Sequence, residues 1–540
     1  MTMNVSMSRR LFLALIHSLP ACAAHPSVAF AGAKSKSIRP LEFGPATAFS
    51  FSKVKKQARK RASLPYAPRP TPAPRIVNQI DYDAHNRIFQ PIERGLFPAP
   101  DGDGAVTLLH LARLFPHPAR IHLLDDGVAR EIRYRKHDFR YPKESPAANM
   151  PDDAGFSGFR VHRHGDPKGL ERGLAPDWMS FLGASYFRSS GDLDQYGVSA
   201  RGLAIDTAVA GKEEEFPAFT EFWIEKSGSD YHVYALLEGK SVTGAYFFEI
   251  KRFPNVVTTV EATVFPRRDD IACLGFAPLT SMYWYSETNR WAGRDWRLEV
   301  HDSDGLLMHN GAGEWLWRPL NNPARLSVST FLDESPRGFG LLQRDRSSAS
   351  YIDRVAYERR PNLWVEPLGK WPEGAIHLVE IPTESEYSDN IVAFFKPAEK
   401  SRVNTPIQIS YRLHWNAEEI LPPHIAPAVA IRMTKPWTRT LQVAESVPAT
   451  GVWSHARKVM IEFRGESLGR FGLARLRPVV EGAMPGEEIP LVQDPDGDPN
   501  HLRVIFNVPG QEEDPTEVRA FLLGPDGPVT ATVLVQVWMT

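Results

Sequence analysis

Between about residue 105 and residue 415 the chain is written in short apolar runs that alternate with polar positions. Phe222-Trp223-Ile224, Tyr231-His232-Val233-Tyr234-Ala235-Leu236, Tyr246-Phe247-Phe248-Glu249-Ile250 and Val256 to Val264 are rich in aromatic and β-branched residues, and Gly, Pro, Asn and Asp separate them. A two-residue repeat suits strands with one buried face, and turn formers at this spacing predict an antiparallel sandwich rather than βαβ units. Ahead of this region, Phe49 to Ala62, with Lys53, Lys55, Lys56, Arg59, Lys60 and Arg61, reads as a short basic amphipathic helix. The proline-rich stretch Leu64 to Pro74 ends it. Its default is a solvated face; contact with an anionic membrane surface is the weaker reading. Asn416 to His424, with Pro422-Pro423, reads as the core of a linker over 416–428. Beyond it Lys458 to Phe463, Leu502 to Val508, Val518 to Leu523 and Val529 to Trp538 read as strands of a second unit, 429–540, of immunoglobulin-like length and strand count. The expectation is an all-β chain, with a β-sandwich over 41–415 followed by an immunoglobulin-like sandwich.

A length of 540 residues is too great for one hydrophobic core and agrees with two such units. A formal net charge of −1 gives no case for nucleic acid or an anionic surface as a general partner. Thirteen Trp exceed what a core of this size needs, and a sugar-binding cleft is one place for the excess beside ordinary sandwich packing. There is no G-x-G-x-x-G, no P-loop and no G-x-S-x-G elbow, so nucleotide and α/β-hydrolase chemistry lose support. No H-E-x-x-H and no His/Cys cluster is present, so neither metal nor cofactor is expected. Asp494-Pro495-Asp496-Gly497-Asp498 opens like a calcium loop but lacks the later glutamate, and is read as a turn between strands.

The N-terminus changes the picture of where the chain works. Arg9-Arg10 precede the apolar run Leu11 to Ala24, and Ala29-Phe30-Ala31 follows. That order is a signal peptide, with a run too short to span a membrane. Ser8-Arg9-Arg10-Leu11-Phe12-Leu13 matches the twin-arginine pattern against a plain secretory signal, and Leu19-Pro20-Ala21-Cys22 only faintly resembles a lipoprotein box. Residues 1–31 are therefore set aside and the periplasm is the expected compartment. Cys22 leaves with the signal, which leaves Cys273 as a lone thiol, read as a packing residue.

Several long and unusual runs occur in one order: Leu182 to Arg188, Tyr196 to Asp206, Glu221 to Glu225, Ala277 to Met282, His301-Asp302-Ser303-Asp304-Gly305, Gly313 to Pro323 and Gly340 to Arg344. In these the chain resembles the OpgG/OpgD (MdoG-like) family of periplasmic glucan biosynthesis proteins, and its twin-arginine-like signal favours the OpgD branch. The resemblance implies a galactose-mutarotase-like sandwich followed by the immunoglobulin-like one. It also implies β-1,2-glucan as substrate, an inverting glycoside hydrolase or transglycosylase chemistry, and a membrane glucan synthase as partner. Residue by residue, it places a general acid at Asp389 and the base end of the reaction at Asp302, with Tyr357, Arg360 and Glu386 lining the same cleft. Asp345 to Val355 and the region 416–450 depart from the family pattern.

Inverting hydrolysis needs one protonated carboxyl and one carboxylate, with room for water between them. Asp302 and Asp389 are far apart in sequence, so only the fold can bring them together. Each lies beside turn formers, where an ordinary Asx turn is the commoner use of Asp. Glu314, between Gly313 and Trp315, is a rival acid. Asp389 is expected to be raised in pKa by burial or by a carboxylate such as Glu386. The reading of a different class is a non-catalytic glucan-binding scaffold that assists the membrane synthase. Product length, oligomeric state and the choice between hydrolysis and transfer do not follow from the sequence.

Overall fold

The alternation seen in the sequence becomes the packing of sheets. A computed structural model describes residues 40–165, 169, 175–293, 296–436, 456–494, 496–510 and 514–539; the signal segment 1–31, Cys22 and Pro495 lie outside them. Strand occupies 44% and helix 10% of the described residues, an all-β fold, as expected. Five consecutive neighbours, Ala218–Ser227, Asp230–Glu238, Val242–Lys251, Val256–Pro266 and Ile407–Asn416, form the antiparallel centre of a 16-stranded sheet. A second, 10-stranded sheet runs Ser327–Glu334, Glu373–Glu380, Ile391–Pro397, Leu274–Ser281, Ser199–Arg201, Tyr186–Ser189, Asp177–Leu182, Gly158–His162 and Val106–Leu109, with Ala204–Ile205 as a side branch on Leu274–Ser281. Their facing sides interlock through aromatic rings. Phe181 and Phe187 of the second sheet approach Phe248 of the first at 5.3 and 5.1 Å, edge to face. This is the favoured ring geometry, and it explains much of the aromatic content.

The predicted basic helix forms over Phe51–Ala62. Its buried Val54 and Ala58 cover the outer side of the large sheet against Trp223, Leu236 and Phe265. Gln57 donates to Glu221 and Arg61 pairs with Glu238, so this helix is a cover for the sheet. A second core lies between the strands Arg477–Glu481, Thr516–Gly524 and Thr532–Val537 and a four-stranded sheet of Ala428–Met433, Ala456–Arg464, Leu491–Gln493 and His501–Pro509. The two cores are joined through backbone: Trp315–Pro319 pairs in parallel with Thr532–Val537, so the large sheet continues into the C-terminal sandwich.

Smaller expectations also find their places. Cys273 is buried, and burial pushes its thiol up to about 11, which suits packing and not nucleophilic chemistry. The Asp494 carboxylate accepts from Asp496 N–H at 3.0 Å and pairs with Arg503 at 2.7 Å, which makes this an Asx turn fixed by charge. Among the described residues no helix is long and apolar enough to cross a membrane.

Candidate active site

Asp389 stands just before the strand Ile391–Pro397, and its neighbour holds it there. The Asn390 side chain donates to Ile381 O at 2.9 Å and accepts from Tyr283 N–H at 2.8 Å, while Asn390 N–H donates to Ser281 O at 3.1 Å. The adjoining strand Leu274–Ser281 carries a bulge between Phe276 and Leu279, with Ala277 at φ 47°. Bulges of this kind re-aim side chains beside sites. Asp389 is only 5% exposed. Burial lifts its carboxyl to about 7, while Arg188, Arg360 and Arg201, in that order, pull it back. The expected contribution from Glu386 is absent from that balance; desolvation is the cause.

Asp302 follows the short strand Val300–His301, and its N–H donates to Met282 O at 2.8 Å. Its carboxylate pairs with the Arg360 guanidinium, and both side chains are almost completely buried. Arg360 can lie where it does because residue 197 is glycine: a Cβ there would sit 2.9 Å from the Arg360 Cβ. The guanidinium stacks on the Tyr357 ring at 4.1 Å. Burial brings Arg360 down to about 9, against the opposing charges of Asp389 and Glu386. Tyr357 Oη donates to Glu386 at 2.7 Å, and Glu386 also receives both Nη groups of Arg297 at 2.7 and 3.2 Å. Asp302, Tyr357, Arg360, Glu386 and Asp389 thus form one cluster with Arg360 at its centre.

Sequence reasoning missed Arg188, Arg201 and Arg297. Arg188 and Arg201 lie on adjacent strands whose chain neighbours are buried, and a cation inside such a run is the signal that could have revealed them. The unmatched segment Asp345 to Val355 belongs to the site as well. Asp353 pairs with Arg297 at 3.2 Å, and Gln343 donates to Tyr351 Oη at 2.9 Å and Tyr357 O at 3.0 Å. The rival acid Glu314 instead meets Arg519 and Thr532 of the C-terminal sandwich. Of the stretch 416–450, residues 437–450 lie outside the described residues.

Behind Asp302 lies a buried polar cluster. His301 hydrogen-bonds Glu299 through Nε2 at 2.9 Å and Gln343 through Nδ1 at 2.9 Å, with Asp304 3.3 Å from Nε2. Burial alone would lower the imidazole, but Asp304 and Glu299 carry it up to about 9. Glu299, His301 and Asp304 bring three potential metal-ligand atoms within 4.8 Å of one another. Both His301 nitrogens have partners inside the protein, Nε2 on the Glu299 and Asp304 carboxylates and Nδ1 on Gln343, which ties the three side chains into one buried network. Nearby, Glu287 accepts from Ile431 N–H at 2.9 Å and Thr288 donates to Ile431 O at 2.9 Å, which fastens this loop to the C-terminal sandwich.

A buried carboxyl poised near neutrality beside a second, ion-paired carboxylate can donate a proton and return as a carboxylate. If Asp389 is the donor, kcat/KM should fall as pH rises through about 7, where the acid loses its proton. Arg188→Gln removes the largest opposing charge, so the alkaline limb of the kcat/KM profile should move to higher pH. A limb that stays in place would count against Asp389 as the titrating group.

The chain matches the family model described as "Periplasmic glucan biosynthesis protein, MdoG" over residues 49–537. It is 43% identical over 504 residues to glucans biosynthesis protein D 2 of Ralstonia nicotianae, covering 92% of each chain. It is 38% identical over 496 residues to the probable glucans biosynthesis protein D of Shewanella oneidensis, covering 90% of this chain and 88% of the relative. Glucans biosynthesis protein G of Rhodopseudomonas palustris is 38% identical over 539 residues, covering 99% of each.

Proposed function

Because the chain belongs to the periplasmic glucan biosynthesis family MdoG, we propose that it is an exported enzyme acting on β-1,2-glucan with inversion at the anomeric carbon. The observation that carries this reading is Asp389, a buried carboxyl lifted to about 7 that shares Arg360 with Asp302. Asp389 gives its proton to the glycosidic oxygen as the C1–O bond breaks. A nucleophilic oxygen, of water or of a sugar hydroxyl, forms the new bond from the opposite face of the ring. The proton of that oxygen passes to Asp302, directly or through hydrogen-bonded hydroxyls and water. Arg360 supplies the counter-charge that an ionised Asp302 needs in a dry site, and Tyr357, Glu386 and Arg297 form the polar wall that positions the sugar.

The export signal and the family description support a periplasmic location, and a membrane glucan synthase is the partner that the resemblance in sequence implies. Proton NMR during reaction of linear β-1,2-glucan tests the chemistry. A first-formed α-anomer is expected for attack by water, and a new α-linkage with few new reducing ends for transfer. A first-formed β-anomer would mean retention and would remove the two-carboxylate assignment. A protein that binds the glucan but produces no new ends or linkages would be a scaffold. EDTA should leave the rate unchanged; loss of activity that a divalent ion restores would place a metal in the site.

A further inference from the structure

We propose that Trp296 and Tyr387, the chain neighbours of the ion-paired Arg297 and Glu386, form a stacking platform for a glucosyl unit of the substrate chain, set away from the bond that reacts. This rests on the proposed action on glucan. Trp178 and Trp415 are buried almost completely, whereas Trp296 is 69% exposed, Tyr387 66% and Ile352 57%. The exposure of Trp296 is built rather than loose. Its ring N–H donates to Ile352 O at 3.3 Å, so the one polar group of the indole is committed and its apolar face is what remains to offer. Leu298 N–H donates to Ser350 O at 3.0 Å, which holds the backbone beyond it. Side chains in this segment alternate: Arg297 turns inward to Glu386 and Asp353, while Trp296 and Leu298 stay at the surface.

The occupant follows from chemistry and continuity. A pyranose ring has an apolar C–H face and a rim of hydroxyls, which matches an aromatic face beside charged side chains. Trp296 and Tyr387 are the chain neighbours of Arg297 and Glu386, and Glu386 in turn accepts from Tyr357 of the candidate site. The Arg297–Glu386 ion pair therefore ties the two segments that carry the aromatic rings to the candidate site. A few exposed side chains are far fewer than the roughly 20–30 residues a side of a standard protein interface, which favours a sugar over a protein partner.

The test uses the full mature chain with linear β-1,2-glucan oligosaccharides of graded length, read by steady-state kinetics and by tryptophan fluorescence. Trp296→Ala should raise KM for long chains about tenfold, with a much smaller change in kcat, and should remove most of the fluorescence change on binding. Trp296→Phe should restore most of the affinity, and Tyr387→Ala should give a smaller rise in KM. Phe253→Ala, a control at an aromatic 68% exposed outside this lip, should leave both constants alone. Unchanged KM in a folded Trp296→Ala overturns the platform and leaves the enzyme reading standing. Weakened glucan binding by a protein that never turns over supports the platform and removes the catalytic reading. A wild-type chain that does not bind the glucan removes both.

Discussion

Asp389→Asn should lower turnover of linear β-1,2-glucan by about 10²–10⁴-fold, the range for loss of a positioned general acid. The amide is nearly isosteric and cannot donate a carboxyl proton, so glucan affinity should persist. More than about a tenth of the wild-type rate would remove Asp389 from the role. The same substitution carries a second, independent signature in stability. A carboxyl raised from an ordinary 3.8 to about 7 binds its proton more tightly in the folded protein than in the unfolded chain. Its contribution to stability therefore declines as pH rises from about 4 to about 7 and levels off above that. Asp389→Asn removes this decline, so the Tm of the variant relative to wild type should be higher at pH 8 than at pH 5. Equal Tm differences at the two pH values would mean that Asp389 is not held protonated by its surroundings.

Arg360→Met should be the most damaging substitution in the cluster. Met preserves much of the apolar stem but removes the cation from Asp302, which is then a buried carboxylate without its counter-charge. Breaking a buried pair from one side costs about 3–5 kcal/mol. Activity should fall with it, because Arg360 also opposes the burial that raises Asp389 and stacks on Tyr357. Asp302→Asn in the same background should recover part of the stability, since no lone charge is then buried, and none of the activity. Denaturant unfolding midpoints for the single and double variants, beside kcat, separate the two effects. Additive losses of stability would show that the two side chains do not interact.

How much of this could be read in advance divides along physical lines. Strand alternation made the sandwich legible, because a two-residue period needs no knowledge of partners: from Asp230 to Tyr234 half-buried and buried positions alternate, with Tyr231 and Val233 turned inward. Which strands share a sheet was not legible, since the parallel pairing of Trp315–Pro319 with Thr532–Val537 depends on packing between distant parts of the chain. The five site residues came from resemblance, and the geometry that gathers them around Arg360 could not have been derived from spacing. Arg188 and Arg201 went unnoticed because an arginine in a strand reads by default as the solvent face, whereas the fold turns Arg201 inward beside Tyr186 and Glu214. Tyr357 and Glu386 are joined through a hydroxyl and a carboxylate from separate loops, a contact that no local pattern encodes.

The continuous sheet also sets the order in which the chain can become whole. Trp315–Pro319 receives one neighbour early, in Gly305–His309, but its other edge waits for Thr532–Val537, far later in the chain. Until then the nascent chain carries an open strand edge directly after the segment that bears Asp302, and open edges invite pairing with other chains. Closure over so long a stretch of sequence is slow compared with hairpin formation. A chain shortened before Thr532 would therefore mature poorly, and its aggregation or proteolysis during synthesis would be the visible consequence.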